Sequence, residues 1–267
     1  MTSPEFEVLR EWWREKFDMV MVPAPLEMPP LREVNHRIPL KEPSKKFREN
    51  TPRCPAALQE ALATKIDRYV KAGWWYPASS EQACPLLCIC KADGSLRTVI
   101  DARNRNSNTI LDITPMPDMQ LIQESVARTK YRSKIDMSDA YEQIHVDPDD
   151  IHRTMFSMPH GTYNSNTMQQ GDCNAPCTFQ HALTWELRGE IGRHLHVWFD
   201  DIFTSTSSVE NHNKALLWLY NHLKGAKFYI SQKKFQPFAP ILDILGSCMD
   251  EQGIHTQVDK MEKICNW

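Results

Sequence analysis

The chain has 267 residues, 41% of them hydrophobic and 24% charged, and a net charge of -3. That balance excludes disorder through most of the chain, and no apolar run approaches the roughly 18 residues of a membrane-crossing helix. Residues 1–17 carry charges of both signs and no apolar stretch of the secretory kind, so the expectation is an intracellular protein with a sizeable core.

The pI of about 6.4 is lower than that of most nucleic-acid-binding domains, and two basic stretches, around Lys41–Arg53 and Lys224–Lys234, read as solvated faces on charge alone. The eight cysteines include no C-x-x-C pair, which favours free thiols over a zinc site.

In chain order, residues 1–54 read as an extended lead-in, because Pro23, Pro25, Pro29, Pro30, Pro39 and Pro43 forbid a long helix. Residues 56–72 read as a helix, with Leu58, Leu62, Ile66, Tyr69 and Val70 at helical period, Pro55 opening it and Gly73 closing it. A hairpin follows, strands at 85–90 and 96–101 joined by Ala92-Asp93-Gly94-Ser95. Helical spacing returns at 118–128, and 131–137 is strand-like with Asp136 near its end.

Two strands flank Pro159-His160-Gly161, 175–190 is a helix, and short strands at 196–199 and 202–206 enclose Asp200-Asp201. Ser207-Ser208-Val209-Glu210 has the spacing of a capping box. Behind it Val209, His212, Leu216, Leu219, Tyr220 and Leu223 share one helical face, ending at Gly225. Strands mixed with helices, some joined by hairpins, give an α/β or α+β class.

The sharpest feature is Asp200-Asp201 at the apex of an apolar hairpin. Adjacent carboxylates repel near an apolar surface, and a bound cation relieves that repulsion. Asp136 supplies a third acid, which only neighbouring strands could bring alongside. Three carboxylates are hard oxygen ligands suited to Mg²⁺, and two such ions can stabilise both oxygens of a phosphoryl displacement. An Asp-Asp pair taken alone reads as a solvated turn.

A series of motifs removes that ambiguity. They are Val34-Asn35-His36-Arg37-Ile38-Pro39-Leu40; Lys91-Ala92-Asp93-Gly94-Ser95-Leu96-Arg97 with Val99-Ile100-Asp101-Ala102-Arg103-Asn104; and Lys134-Ile135-Asp136-Met137 with Asp139-Ala140-Tyr141 and Gln143-Ile144. Gln170-Gly171 with Asn174-Ala175-Pro176 and Thr178-Phe179-Gln180, then Phe199-Asp200-Asp201-Ile202, then Leu245-Gly246 with Gly253-Ile254 complete the series. In this order and spacing the chain resembles the reverse transcriptase domain of gypsy-type LTR retrotransposon Pol polyproteins.

The resemblance implies an α+β right-hand polymerase with a sheet-based palm. Fingers would span 55–130, and palm and primer grip 131–254 with a fingers insertion at about 150–170; the start of a truncated thumb would fall at 255–267. It implies an RNA-directed DNA polymerase with two Mg²⁺ ions (or Mn²⁺) on Asp136, Asp200 and Asp201. Lys91 and Arg97 would hold the triphosphate, Arg97 as a bidentate clamp. Tyr141 would lie under the sugar and exclude a 2′-OH, and Gln170 would touch the incoming nucleotide. Ala175, Pro176 and Gln180 would meet the template or primer.

Because the side chains of Asp200 and Asp201 should diverge, Asp200 is expected beside Asp136 as a direct ligand and Asp201 further out. The implied partners are an RNA or DNA template with its primer, deoxynucleoside triphosphates, and ribonuclease H and integrase segments of a parent polyprotein, in a cytoplasmic particle or the nucleus. Departures from the family pattern are Trp198, Gln169-Gln170, Asp172, Cys173 and the polar run Thr162 to Thr167. They and the early end leave a second reading, a catalytically silent remnant that folds and only binds nucleic acid.

Overall fold

The computed structural model describes residues 3–46, 53–79, 82–159 and 161–256. The helices are α1 (Pro4–Phe17), α2 (Gln59–Lys71), α3 (Arg103–Ser107), α4 (Met119–Ala127), α5 (Ala175–Leu187) and α6 (Val209–Gly225). The strands are β1 (Trp75–Pro77), β2 (Cys84–Cys90), β3 (Leu96–Ile100), β4 (Tyr131–Asp136), β5 (Phe156–Met158) and β6 (Gly161–Ser165), then β7 (Leu195–Trp198), β8 (Asp201–Thr206), β9 (Leu242–Ile244), β10 (Ser247–Met249) and β11 (Ile254–Thr256). The class is α+β.

The chain divides into two units of interleaved sequence: Met1–Pro23, Pro115–Ser138 and Leu183–Trp267 form one, Ala24–Thr114 and Asp139–Ala182 the other. This division differs in its bounds from the one expected from sequence: the whole of 139–182, and not only an insertion at about 150–170, joins the hairpin unit, and 115–130 joins the acid-bearing one. The expected thumb segment lies, from residue 257 on, outside the described residues.

The acid-bearing unit holds the antiparallel sheet β4-β8-β7 and a second sheet, β11-β10-β9. Ile122, Val126, Phe203, Ala239, Leu242, Ile244 and Met249 pack together there. Asp118 starts α4, its carboxylate accepting from the Gln120 and Leu121 N–H groups. The α4 carbonyls of Val126 and Ala127 receive the Arg132 guanidinium, at 3.0 and 3.1 Å. Leu245 and Gly246, with φ of 48° and 84°, make the two-residue turn between β9 and β10.

Two expectations fail in this unit. Helix α1 stands where an extended arm was expected, and it buries Arg10, Trp13 and Phe17. The prolines that argued against a helix all lie at 23 or beyond, whereas Pro4 sits at the start of α1, where a missing N–H does no harm. The Trp13 indole donates to Asn213 on α6 at 2.9 Å, and Arg10 Nε donates to the Phe238 carbonyl at 3.0 Å. The capping box does not close either. Ser208 is the cap, accepting from Asn211 N–H at 3.2 Å, while Glu210 pairs with Lys214 one turn on.

The hairpin unit holds a five-stranded sheet in the order β1-β6-β5-β2-β3. Its strands are antiparallel except for β2 and β5. Leu58, Leu62, Tyr69, Trp74, Trp75, Leu86, Ile100 and Phe156 form its core. Helix α2 lays Leu62 and Tyr69 into that core and ends before Gly73, whose φ of 75° lets the chain reverse.

Candidate active site

In the acid-bearing unit, β4 and β8 run antiparallel with Asp136 directly opposite Asp201. The β7–β8 turn is Phe199-Asp200, closed by the pair Trp198 and Asp201. Phe199 has a φ of 50°, a conformation that costs a non-glycine residue about 1–2 kcal/mol. The Met137 N–H donates to the Asp200 carbonyl at 2.9 Å, which ties the turn to the end of β4. The three acids therefore lie at one end of this sheet, where β4 finishes and β8 begins.

Like charges directly opposite on neighbouring strands destabilise a sheet, and each facing acid has a lysine. Lys234 Nζ lies 2.8 Å from Asp136 Oδ2, and Lys134 Nζ lies 3.0 Å from Asp201 Oδ2. Asp136 is buried and Asp201 half-buried; Asp200 is exposed and has no ion pair among the described residues. Burial pushes the Asp136 pKa up, Lys234 pulls it back and Asp200 adds to the rise; burial pushes Asp201 up in the same way, with Lys134 opposing. Burial works against the charge on Lys234, but Asp136 and its two acidic neighbours leave its pKa raised.

Among the described residues no three acidic, His or Cys side chains are gathered ready to hold a metal ion. Lys234 and Lys134 each draw one carboxylate oxygen to themselves. The donor set nevertheless suits a hard divalent cation: it is all oxygen, and Asp201 Oδ1 is buried with no hydrogen-bond partner. Neither lysine was singled out from sequence as a partner of these acids. Lys134 is legible afterwards, two residues before Asp136 and so on the same strand face.

The hairpin unit contains an open pocket of about 510 Å³ whose lining includes Lys65, Arg68, Lys91, Arg97, Asp139, Glu142 and Gln170. Lys91 N–H bonds to the Ser95 carbonyl at 2.9 Å across the Asp93-Gly94 turn, and β2 pairs Ile89 with Arg97. That register puts Lys91 and Arg97 on one face. The Arg97 Nε donates to Gln170 Oε1 at 3.2 Å. Three of the four residues expected to bind nucleotide thus line one cavity. Tyr141 sits in the short helical turn Ala140–Gln143, half-buried, its ring 6.2 Å from that of Phe179.

Gly171 fixes the approach of Gln170. The Ile100 N–H donates to the Gln170 carbonyl at 2.8 Å, and a Cβ on Gly171 would fall far inside contact distance of the Ile100 carbonyl oxygen. The next residue, Asp172, departs from the family pattern but is integrated here. It bonds Arg105, and its Oδ2 lies 3.0 Å from His36 Nε2. His36 Nδ1 in turn meets Thr178 Oγ1 at 3.2 Å. Burial, then Arg105, lowers the His36 pKa to about 3. This network anchors the start of α5, where Ala175 is buried and Pro176 half-buried. Gln180 is only 2% exposed, so any effect on a strand would pass through its neighbours.

Residues 89–253 match the family described as reverse transcriptase (RNA-dependent DNA polymerase). The chain belongs to the reverse transcriptase family. Among curated relatives, the transposon Tf2-3 and Tf2-7 polyproteins of Schizosaccharomyces pombe (strain 972 / ATCC 24843) are each 26% identical, over 237 and 238 residues. These alignments cover 89% of this chain and 17% of each polyprotein, so this reverse transcriptase chain spans about a sixth of the length of those relatives. The likeness to gypsy-type elements is upheld by them.

Two solved structures share the fold. A foamy viral protease-reverse transcriptase with double-stranded DNA has a TM-score of 0.82 at 22% identity, covering 99% of this chain and 46% of that one. The same viral enzyme with an RNA/DNA hybrid has a TM-score of 0.83 at 22% identity, covering 99% and 35%. The reverse transcriptase fold, with its sheet-based palm, is therefore the fold of this chain. No helix among the described residues is long and apolar enough to cross a membrane.

Proposed function

We propose that this chain is the polymerising segment of a retrotransposon polyprotein, a nucleotidyltransferase that extends a primer with deoxynucleotides on an RNA or DNA template. The carrying observation is the placement of Asp136 directly opposite Asp201, with Asp200 in the adjoining turn. A sheet gains no stability from two facing acids, so the arrangement makes sense as a cation cradle. The acid-bearing unit serves as palm and the hairpin unit as fingers.

Asp136 and the exposed Asp200, which has no ion pair among the described residues, would be the direct metal holders. Asp201, tied to Lys134, stands behind them and shapes the local charge. When bound, two Mg²⁺ ions (Mn²⁺ as substitute) supply positive charge to both the entering and the leaving oxygen of the displacement. Lys91 and Arg97 hold the triphosphate, and Gln170 fixes the tilt of the Arg97 guanidinium. Tyr141 lies against the sugar and excludes a 2′-OH. The first turn of α5, from Ala175 and Pro176, faces a nucleic-acid strand, with Gln180 supporting it from within.

Template and primer as partners are supported by the duplexes bound to the foamy viral enzymes. The polyprotein relatives support further segments in a longer parent; on this reading those segments include ribonuclease H and integrase, and the whole works in an intracellular particle or the nucleus. Primer extension on a homopolymer RNA template with Mg²⁺ tests the proposal. The wild-type chain extends the primer, and Asp200→Asn is slower by on the order of a hundredfold or more. A wild-type chain that binds the duplex but extends no faster than Asp200→Asn is a silent remnant, and the proposal is then wrong.

A further inference from the structure

Lys65 lies on α2, facing the β3 strand that carries Arg97. Its ammonium donates to Thr98 Oγ1 at 2.8 Å and sits 4.6 Å from the Tyr69 ring centroid and 5.9 Å from that of Trp75. A lysine Nζ has three donors, and the partner here is a neutral hydroxyl. The neighbouring acid, Glu142, accepts instead from Tyr69 Oη at 2.7 Å, and among the described residues Lys65 forms no ion pair within 4.0 Å. Cations this enclosed are normally paired with an anion. Burial holds the Lys65 pKa below its ordinary value, with Glu142 opposing, so the ammonium is short of negative charge where it stands.

An independent observation points to the same place. A small chamber of about 20 Å³ shares Lys65, Tyr69, Thr98, Glu142 and Gln170 with the larger pocket, and Gln169 also lines it. Gln169 is 5% exposed, yet among the described residues neither its Oε1 nor its Nε2 has a hydrogen-bond partner. Buried amides are rarely left so. The larger pocket offers four cations, Lys65, Arg68, Lys91 and Arg97, against two acids, Asp139 and Glu142. The surplus, four minus two, suits a polyanion.

We propose that Lys65 is a further phosphate-binding residue, a cation on the pocket floor that contacts a nucleoside triphosphate together with Lys91 and Arg97. This rests on the reading of the pocket as the nucleotide site. A structural lysine would sit on Glu142; this one leaves Glu142 to Tyr69 and keeps donors for a ligand. The Gln169 amide then has a phosphate oxygen or its bound water within the same chamber.

Titration of the folded chain with inorganic tripolyphosphate, followed by calorimetry, tests the assignment, alongside steady-state primer extension. Lys65→Met and Arg97→Met each weaken tripolyphosphate binding by about tenfold or more, as expected for loss of a charge-assisted phosphate contact. Lys65→Arg restores most of it. Glu142→Gln tightens binding, because the remaining cations face less competing negative charge. In primer extension, Lys65→Met raises KM for the deoxynucleotide more than it lowers kcat. If Arg97→Met weakens binding and Lys65→Met does not, Lys65 is structural and the inference falls while the nucleotide pocket stands. If neither substitution matters, the pocket reading falls and the inference with it. Should Lys65→Met fail to fold, Lys65→Gln takes its place in the same titration: binding weakened about tenfold or more upholds the inference, unchanged binding overturns it.

Discussion

Lowering the pH from 7 to 5 should weaken the acid-bearing unit, and His212 carries a separable part of that loss. Its ring is fully buried on α6. Nδ1 lies 3.1 Å from Thr206 Oγ1, and Thr206 donates its own proton to the Ser208 carbonyl at 3.0 Å. His212 is therefore the donor at Nδ1 and the acceptor at Nε2, where the Ser133 hydroxyl donates at 2.7 Å while accepting the Phe238 N–H at 2.9 Å. Protonating Nε2 would set a donor against a donor. Burial, with a smaller contribution from the His194 charge, lowers the His212 pKa to about 3.

A depressed histidine stabilises the fold above its unfolded pKa, near 6.5, and that contribution drains away as pH falls towards the folded value. Between pH 7 and pH 5 the unfolded chain takes up the proton and the folded chain does not, which amounts to about 2 kcal/mol. Urea unfolding of wild type and His212→Gln at pH 7, 6 and 5 isolates the effect. Wild type should lose about 2 kcal/mol more than the variant over that range. Parallel pH profiles, or an imidazole that titrates near 6.5 in the folded chain, would refute the reasoning.

The remaining predictions concern the two sites. Asp136→Asn should abolish primer extension without lowering the melting temperature at pH 7. Burial and Asp200 hold this acid's pKa up, so its ionised form is a cost that grows as pH rises through the folded pKa; a melting temperature that falls by several degrees would contradict this. Gly171→Ala should destabilise the hairpin unit by about 2–4 kcal/mol, from the φ of 115° and the contact with Ile100, as read by denaturant unfolding. Tyr141→Val should raise ribonucleotide incorporation relative to deoxynucleotide incorporation in primer extension, whereas an unchanged ratio would remove Tyr141 from sugar selection.

Much of this was legible because local rules and motif order agreed. The Asp93-Gly94 turn between apolar strands, the period of Leu62 and Tyr69, and the acids at strand ends each follow from short-range chemistry. His212, Leu216, Leu219, Tyr220 and Leu223 are buried on α6 as their spacing implies, while Val209 is half-buried, and the cap fell one residue later than the capping-box pattern suggested, since Glu210 found Lys214 instead. Helix α1 was missed although Arg10, Trp13 and Phe17 keep helical spacing, because the proline content of a fifty-residue window masked a proline-poor start.

Long-range electrostatics were the least legible. Lys234 reaches Asp136 across 98 positions, and Asp172 meets His36 across 136. No pattern announces such pairs. The interleaving of the units was legible only in part: the resemblance implies an insertion at about 150–170, but nothing local marks the whole of residues 139–182 as belonging with 24–114.

The cradle itself can be weighed directly by titrating Mn²⁺ into wild type, Asp136→Asn, Asp200→Asn and Asp201→Asn, each on a terminated primer–template, with bound ion counted by electron paramagnetic resonance. Asp136→Asn and Asp200→Asn should lose the bound ion, and Asp201→Asn should retain weakened binding. Equal Mn²⁺ binding by all four proteins would mean that these acids hold no cation.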